Sequence, residues 1–191
     1  MATDLNAVVA RIYDASLEDG GLDNLAGIVA NALGSRSGFL ALLQRPEPGQ
    51  LAAPAMVGLP SATANFDDSA RAAYADHYHG CNIWFDRGVK RGFPAIVLGQ
   101  ELVSPDELMR SEWYEYCQRL EAFHVLGAQF HINAELSGQF GAHRPRRSPA
   151  FGSSSRRRMS QLLPHLQRAL QIRVRLGMSD GLRAVSLDLL E

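Results

Sequence analysis

The sequence predicts an α+β domain in which an antiparallel β-sheet is flanked by helices. Two observations carry that reading: helical periodicity opens and closes the chain, and the strand-like runs between are joined by hairpin turns rather than by the crossovers of a parallel sheet. The third is size. With 191 residues, 46% of them hydrophobic and 20% charged, the chain suffices for one full core.

Leu5, Val8, Val9, Ile12 and Tyr13 recur at helical spacing, as do Leu22, Leu25, Ile28, Val29, Ala32 and Leu33, with Gly20-Gly21 between the two sets and Gly34 after them. Two amphipathic helices are expected there. Phe39–Leu43 and Leu51–Val57 are short apolar runs separated by Arg45-Pro46-Glu47-Pro48-Gly49-Gln50, which predicts a hairpin around a proline-enforced loop. Asp67–His79 has a helical composition and Pro94–Leu98 reads as a strand. Ser104-Pro105-Asp106-Glu107 combines a hydroxyl N-cap, a proline at the first helical position and a glutamate suited to a capping box, so one helix is expected from Pro105 to about Leu120.

Phe123–Asn133 and Leu136–His143 form a second predicted hairpin around Asn133-Ala134-Glu135, with Leu126, Ala128, Phe130 and Ile132 alternating against Gly127, Gln129 and His131. After a Pro/Arg/Ser loop at 144–152, Ser153–Ser155 offer N-caps to a long helix carrying Met159, Leu162, Leu163, Leu166, Leu170 and Val174. Pro164 should kink or divide it.

A formal net charge of −1 supplies no global field for nucleic acid or an anionic membrane, and neither a membrane span nor a secretory signal is present, so a cytoplasmic protein with no membrane partner is expected. Cys81 and Cys117 stand apart without a C-x-x-C pair, as reduced thiols do. No phosphate loop, dinucleotide fingerprint, G-x-S-x-G or H-E-x-x-H occurs, and the chain is not read as an enzyme. No cofactor is expected. His77-x-His79-x-Cys81 reads as a helix end with a solvated His79 and a buried Cys81 rather than a metal centre, because a closed site needs ligands from elsewhere. Arg144, Arg146, Arg147 and Arg156–Arg158 read as a solvated loop and helix start that could face an acidic partner; no aromatics alternate with them as in single-strand binders.

Tyr74–Trp84, YADHYHGCNIW, concentrates Tyr74, His77, Tyr78 and Trp84. Apolar bodies with polar tips suit either a small-molecule pocket or an aromatic core. Trp113, Tyr114, Tyr116 and Cys117 spread similar surface over more than one helix face.

Taken together, Y-x-x-H-Y with the following N-I-W (Tyr74–Trp84), LVSPDELMRSEWYEYC (Leu102–Cys117), His124-Val125-Leu126-Gly127 and PHLQRALQIRVRL (Pro164–Leu176) resemble the N-terminal GAF- or PAS-like sensory region of bacterial LuxR-class helix-turn-helix transcriptional regulators. The resemblance covers nearly the whole chain. It implies a GAF/PAS-like sandwich over residues 1–176, with 177–191 beginning a connector to a C-terminal DNA-binding domain that this chain lacks. Residues 182–191 stop abruptly in an apolar helical pattern; either a piece of a longer protein or a naturally short one is expected, and the Leu190-Glu191 end favours the piece. A more distant resemblance to acyl-homoserine-lactone-binding domains implies that Tyr74, Tyr78 and Trp84 line a ligand cavity. Asn82 departs from the acidic residue expected there, so a hydrogen bond to a ligand amide or carbonyl is kept and its charge assistance is lost.

The function implied is ligand sensing for a DNA-binding regulator: a small organic molecule held by Tyr74, Tyr78, Asn82, Trp84, Trp113, Tyr114 and His124, a signal passed through the C-terminal helix, and a homodimer as the working form. DNA would be touched only by the domain that this chain lacks. The alternative is a dimerisation or protein-interaction domain whose aromatics are core. An enclosed cavity between Tyr74, Tyr78 and Trp84 favours the first, a solid core the second.

Overall fold

The computed structural model describes residues 4–18, 21–45, 55–91 and 95–176. The expected connector at 177–191, residues 46–50 of the expected proline loop and residues 51–54 of the strand expected from Leu51 lie outside the described residues. Helices α1 (Leu5–Leu17) and α2 (Leu25–Ala32) lead into strands β1 (Ser37–Gln44) and β2 (Ala55–Ala62). Then come α3 (Asp68–Asp76), α4 (Ile83–Lys90), β3 (Ile96–Leu98), α5 (Gly99–Leu102), α6 (Pro105–Arg110) and α7 (Trp113–Arg119). Strands β4 (His124–His131) and β5 (Leu136–Arg144) and helix α8 (Ser153–Leu176) complete the described residues. The five strands lie in the order β2-β1-β5-β4-β3, each antiparallel to its neighbours. That is the predicted helix-flanked antiparallel sheet.

The strand pleat divides the core in two. Leu40 and Leu42 of β1, Leu126, Ala128 and Phe130 of β4, and Phe140 and Ala142 of β5 meet α1, α2 and α8 in one cluster. Phe39 of β1 and Val125 of β4 face the other way, onto Ala70, Trp84, Leu108, Trp113, Tyr116 and Cys117 from α3, α4, α6 and α7. The β4–β5 hairpin keeps this parity because the Asn133 side chain accepts from the backbone N–H groups of Glu135 (2.9 Å) and Leu136 (2.7 Å), closing an Asx turn.

Four helix starts show their caps. Asp4, Asp67, Asn82 and Ser104 side chains accept from Asn6, Ala70, Phe85 and Glu107 N–H groups, respectively. The capping box expected at Ser104 is only half made, since the Glu107 carboxylate turns away to Arg87 at 2.6 Å.

Three expectations need correction. The helix expected from Pro105 to Leu120 is two helices. Ser111 is extended (φ −84°, ψ 148°), and its N–H (3.0 Å) and hydroxyl (2.6 Å) both bond the Leu108 carbonyl, which a continuous helix would offer to residue 112. Pro164 does not divide α8, which runs 24 residues through it; Pro164 and Ser160, whose carbonyl loses its partner, are both exposed to water.

The arginine cluster is also not one solvated patch. Arg144 donates to the carbonyls of Leu33 (2.7 Å), Gly34 (3.2 Å) and Pro149 (3.1 Å) and lies 4.2 Å over the Phe151 ring, which staples the end of α2 to the 144–152 loop. Arg156 donates to the Ile96 carbonyl and pairs with Glu101. Among the described residues no helix is long and apolar enough to cross a membrane.

An aromatic cluster as the candidate functional site

Capped by Asp67, α3 presents Tyr74 to the sheet side, and the 3-10 turn Tyr78–Cys81 reverses the chain so that Asn82 can start α4. Trp84 on the first turn of α4 then faces Trp113 on α7, with ring centroids 6.0 Å apart and nearly perpendicular. Separate starts for α6 and α7 allow this placement. Trp113 and Tyr116, three residues apart and so on one helix face, lie 5.0 Å from each other. Tyr116 stands 4.9 Å from Tyr78 and 5.8 Å from Tyr74, and Tyr74 meets Trp113 edge-on at 6.0 Å. The result is one connected network of rings at the separations that favour tilted and edge-to-face packing.

His143, on the sheet floor beneath the rings, was not among the sequence-predicted site residues. Its ring lies 5.7 Å from Phe39, 5.6 Å from Phe66 and 6.4 Å from Trp84. Desolvation there holds the imidazole neutral, with its pKa lowered from 6.5 to about 4. The parity of β5 pointed to this residue, because His143 follows Ala142 on the opposite face.

Two buried polar atoms in the cluster, the Trp113 indole N–H and His143 Nδ1, make no hydrogen bond of ordinary geometry. The indole N–H acts on the Cys117 sulfur, a weak acceptor, and partly offsets the upward push that burial gives that thiol's pKa. Tyr116, by contrast, donates to the Ala70 carbonyl at 3.1 Å, and burial followed by the proximity of Tyr74 raises its pKa to about 12. Unpartnered polar atoms at such depth are uncommon and cost free energy unless something else meets them.

The other expected residues take distinct places. Asn82 uses its side-chain oxygen to cap α4 at the Phe85 N–H (3.1 Å) and interacts with the Tyr74 hydroxyl. His124 stands edge-on to Phe123 at 4.9 Å and shares with Trp84, Gly99 and Leu108 a cavity of about 20 Å³, room for roughly one water. Tyr114 packs on Phe123 and lines a separate open groove of about 360 Å³, together with Glu121, Arg146 and Arg147. Tyr74, Tyr78, Trp84 and Trp113 are thus brought together in close ring contacts, Tyr78 by way of Tyr116.

No protein-family model matches the chain, and no curated protein sequence matches it either. Its fold does match solved structures. The ligand-binding domain of VqsR from Pseudomonas aeruginosa aligns with a TM-score of 0.62 at 12% identity, covering 92% of this chain and 96% of that one. The N-acylhomoserine-lactone-dependent LuxR-family factor CepR2 from Burkholderia cenocepacia aligns with a TM-score of 0.58 at 16% identity, covering 89% and 98%. SdiA, solved in complex with octanoyl-rac-glycerol, aligns at 0.54 and 12%, covering 89% of this chain and 67% of its own. The chain therefore has the fold of the ligand-binding domains of LuxR-type regulators.

Proposed function

We propose that this domain senses a small organic molecule for a LuxR-type transcriptional regulator and binds it at the aromatic cluster. The observation that carries the reading is the pair of buried polar atoms that make no hydrogen bond of ordinary geometry, Trp113 Nε1 and His143 Nδ1, set among rings of a fold shared with ligand-binding domains. A ligand with a carbonyl or hydroxyl group would meet the indole N–H while its apolar part replaces ring contacts. The fit requires Trp84 and Trp113 to move apart, since a pocket of useful size needs about 300 Å³ or more. Tyr74, Tyr78 and His124 would form its walls, and Asn82 would reach it through Tyr74. The signal would pass across the sheet to α8, which packs on β3 and β4, and on to DNA-binding units joined through a homodimer.

The close ring packing favours a second reading, a dimerisation domain that binds no ligand. Both tryptophans of the chain, Trp84 and Trp113, lie in the cluster, so their fluorescence reports on it directly. Octanoyl-rac-glycerol, bound by SdiA, and N-acylhomoserine lactones, on which CepR2 depends, are the first compounds to titrate. Saturable fluorescence change with a matching rise in thermal midpoint, lost in Trp113→Phe, is expected. A panel that moves neither signal would leave the dimerisation reading.

A further inference from the structure

The turn after α3 and the start of α7 bring together three groups that the sequence keeps apart. His77 caps α3, Cys81 ends the 3-10 turn, and Glu112 occupies the residue before α7. One imidazole nitrogen, the thiol sulfur and one carboxylate oxygen all lie within 4.8 Å of one another. His77 Nε2 is already 2.6 Å from Glu112 Oε1. We propose that His77, Cys81 and Glu112 form a Zn²⁺ site that clamps the turn after α3 to the start of α7.

The donor set suits the ion. Imidazole, thiolate and carboxylate are the ligands of this borderline-soft cation, with bonds of about 2.0–2.3 Å. Such bonds place ligand atoms about 3.3–3.8 Å apart in a tetrahedron, so the His77–Glu112 contact must open slightly and the sulfur draw in. Rotation of the exposed His77 and Glu112 side chains supplies that adjustment. The charges balance as well: thiolate and carboxylate neutralise the dication, while Glu115 and Asp86, which also act on Cys81, add negative potential.

On binding, the Cys81 S–H bond breaks, its proton goes to solvent and the sulfur lone pair forms the Zn–S bond. His77 coordinates through Nε2 as the neutral Nδ1–H tautomer, and water fills the fourth position. The clamp lies over the aromatic network, because His77 meets Tyr78 edge-on at 5.0 Å and Tyr78 packs on Tyr116.

The test uses the full reduced chain and the metal alone, with no organic ligand, so its failure leaves the sensory reading standing. Zn²⁺ competed against a chromophoric chelator should bind at one equivalent, and Co²⁺ should give the near-ultraviolet thiolate charge-transfer band and strong visible bands of a tetrahedral site. Cys81→Ser and Glu112→Gln should each weaken Zn²⁺ by more than the roughly tenfold that even outer-shell changes cost. His79→Ala and Cys117→Ala should leave the affinity unchanged, and Zn²⁺ should protect Cys81 of the unaltered chain from alkylation. Absence of stoichiometric binding, Co²⁺ bound without a sulfur band, or equal weakening by His79→Ala and His77→Ala would each overturn the site.

Discussion

On one face of the sheet α1, α2 and α8 bury Ile12, Val29, Leu40, Leu126, Leu162, Leu166 and Leu170, whereas the other face buries Trp84, Trp113, Tyr116 and His143. On the aliphatic side the Ser16 hydroxyl donates to the Tyr13 carbonyl and the Arg173 guanidinium to the Ser16 carbonyl. On the aromatic side the Trp113 indole and the His143 imidazole are surrounded by rings instead, at 5.0 Å from Tyr116 and 5.7 Å from Phe39 respectively. The contrast extends to the backbone. Helices α2 and α7 both end in a Schellman motif, with Ser35 N–H bonding Ala30 and Gly34 N–H bonding Asn31 in one, and Ala122 N–H bonding Cys117 and Glu121 N–H bonding Gln118 in the other. The left-handed position is Gly34 (φ 68°) in α2 but Glu121 (φ 52°) in α7. The aliphatic half thus ends its helix on the residue type that the left-handed position favours, and the aromatic half carries a conformational cost there.

Three changes probe that asymmetry. Phe140→Ala, in the fully buried aliphatic cluster, should cost about 3–5 kcal/mol by opening a cavity that cannot collapse, read from urea unfolding. A much smaller loss would mean that the aliphatic half is not the rigid one. For His143, neutral in the fold and titrating near 6.5 when unfolded, the contribution to stability is fully present above about pH 6.5 and is lost as pH falls toward about 4. The full span from 6.5 to about 4 corresponds to on the order of 3 kcal/mol. His143→Phe should flatten that part of the stability–pH curve, and an unchanged slope would show that the imidazole is hydrated. The smallest effect is a gain: Glu121→Gly should stabilise by up to about 1 kcal/mol by relieving the left-handed strain at the end of α7. A loss of stability there would mean that the Glu121 side chain makes compensating contacts.

The fold was largely legible because its signals are local. Helical spacing in α1, α2 and α8, alternation in β4 and the Ser104-Pro105 start each depend on residues close in sequence. The break at Ser111 was not, since nothing but a serine marks it and the preference for bonding Leu108 emerges only when Trp113 must face Trp84. At the aromatic cluster, the composition of Tyr74–Trp84 indicated which rings would matter, while their packing against one another depended on how α4 and α7 meet. Glu112 was missed altogether as a neighbour of His77 and Cys81. It lies 31 residues beyond Cys81, and an exposed glutamate before a short helix carries no periodic signal.

Ala142 and His143 are adjacent in β5, yet one belongs to the aliphatic cluster and the other to the aromatic one. The strand therefore works as a partition whose two sides are told apart by counting alone. A one-residue slip of β5 against β1 and β4 would send His143 among the leucines of α8 and Ala142 among the tryptophans, exchanging the occupants of both compartments at once. Length changes inside β5 should consequently be harder to absorb singly than in pairs, a rule for engineering or comparing such chains that follows from parity rather than from the identity of any one strand residue.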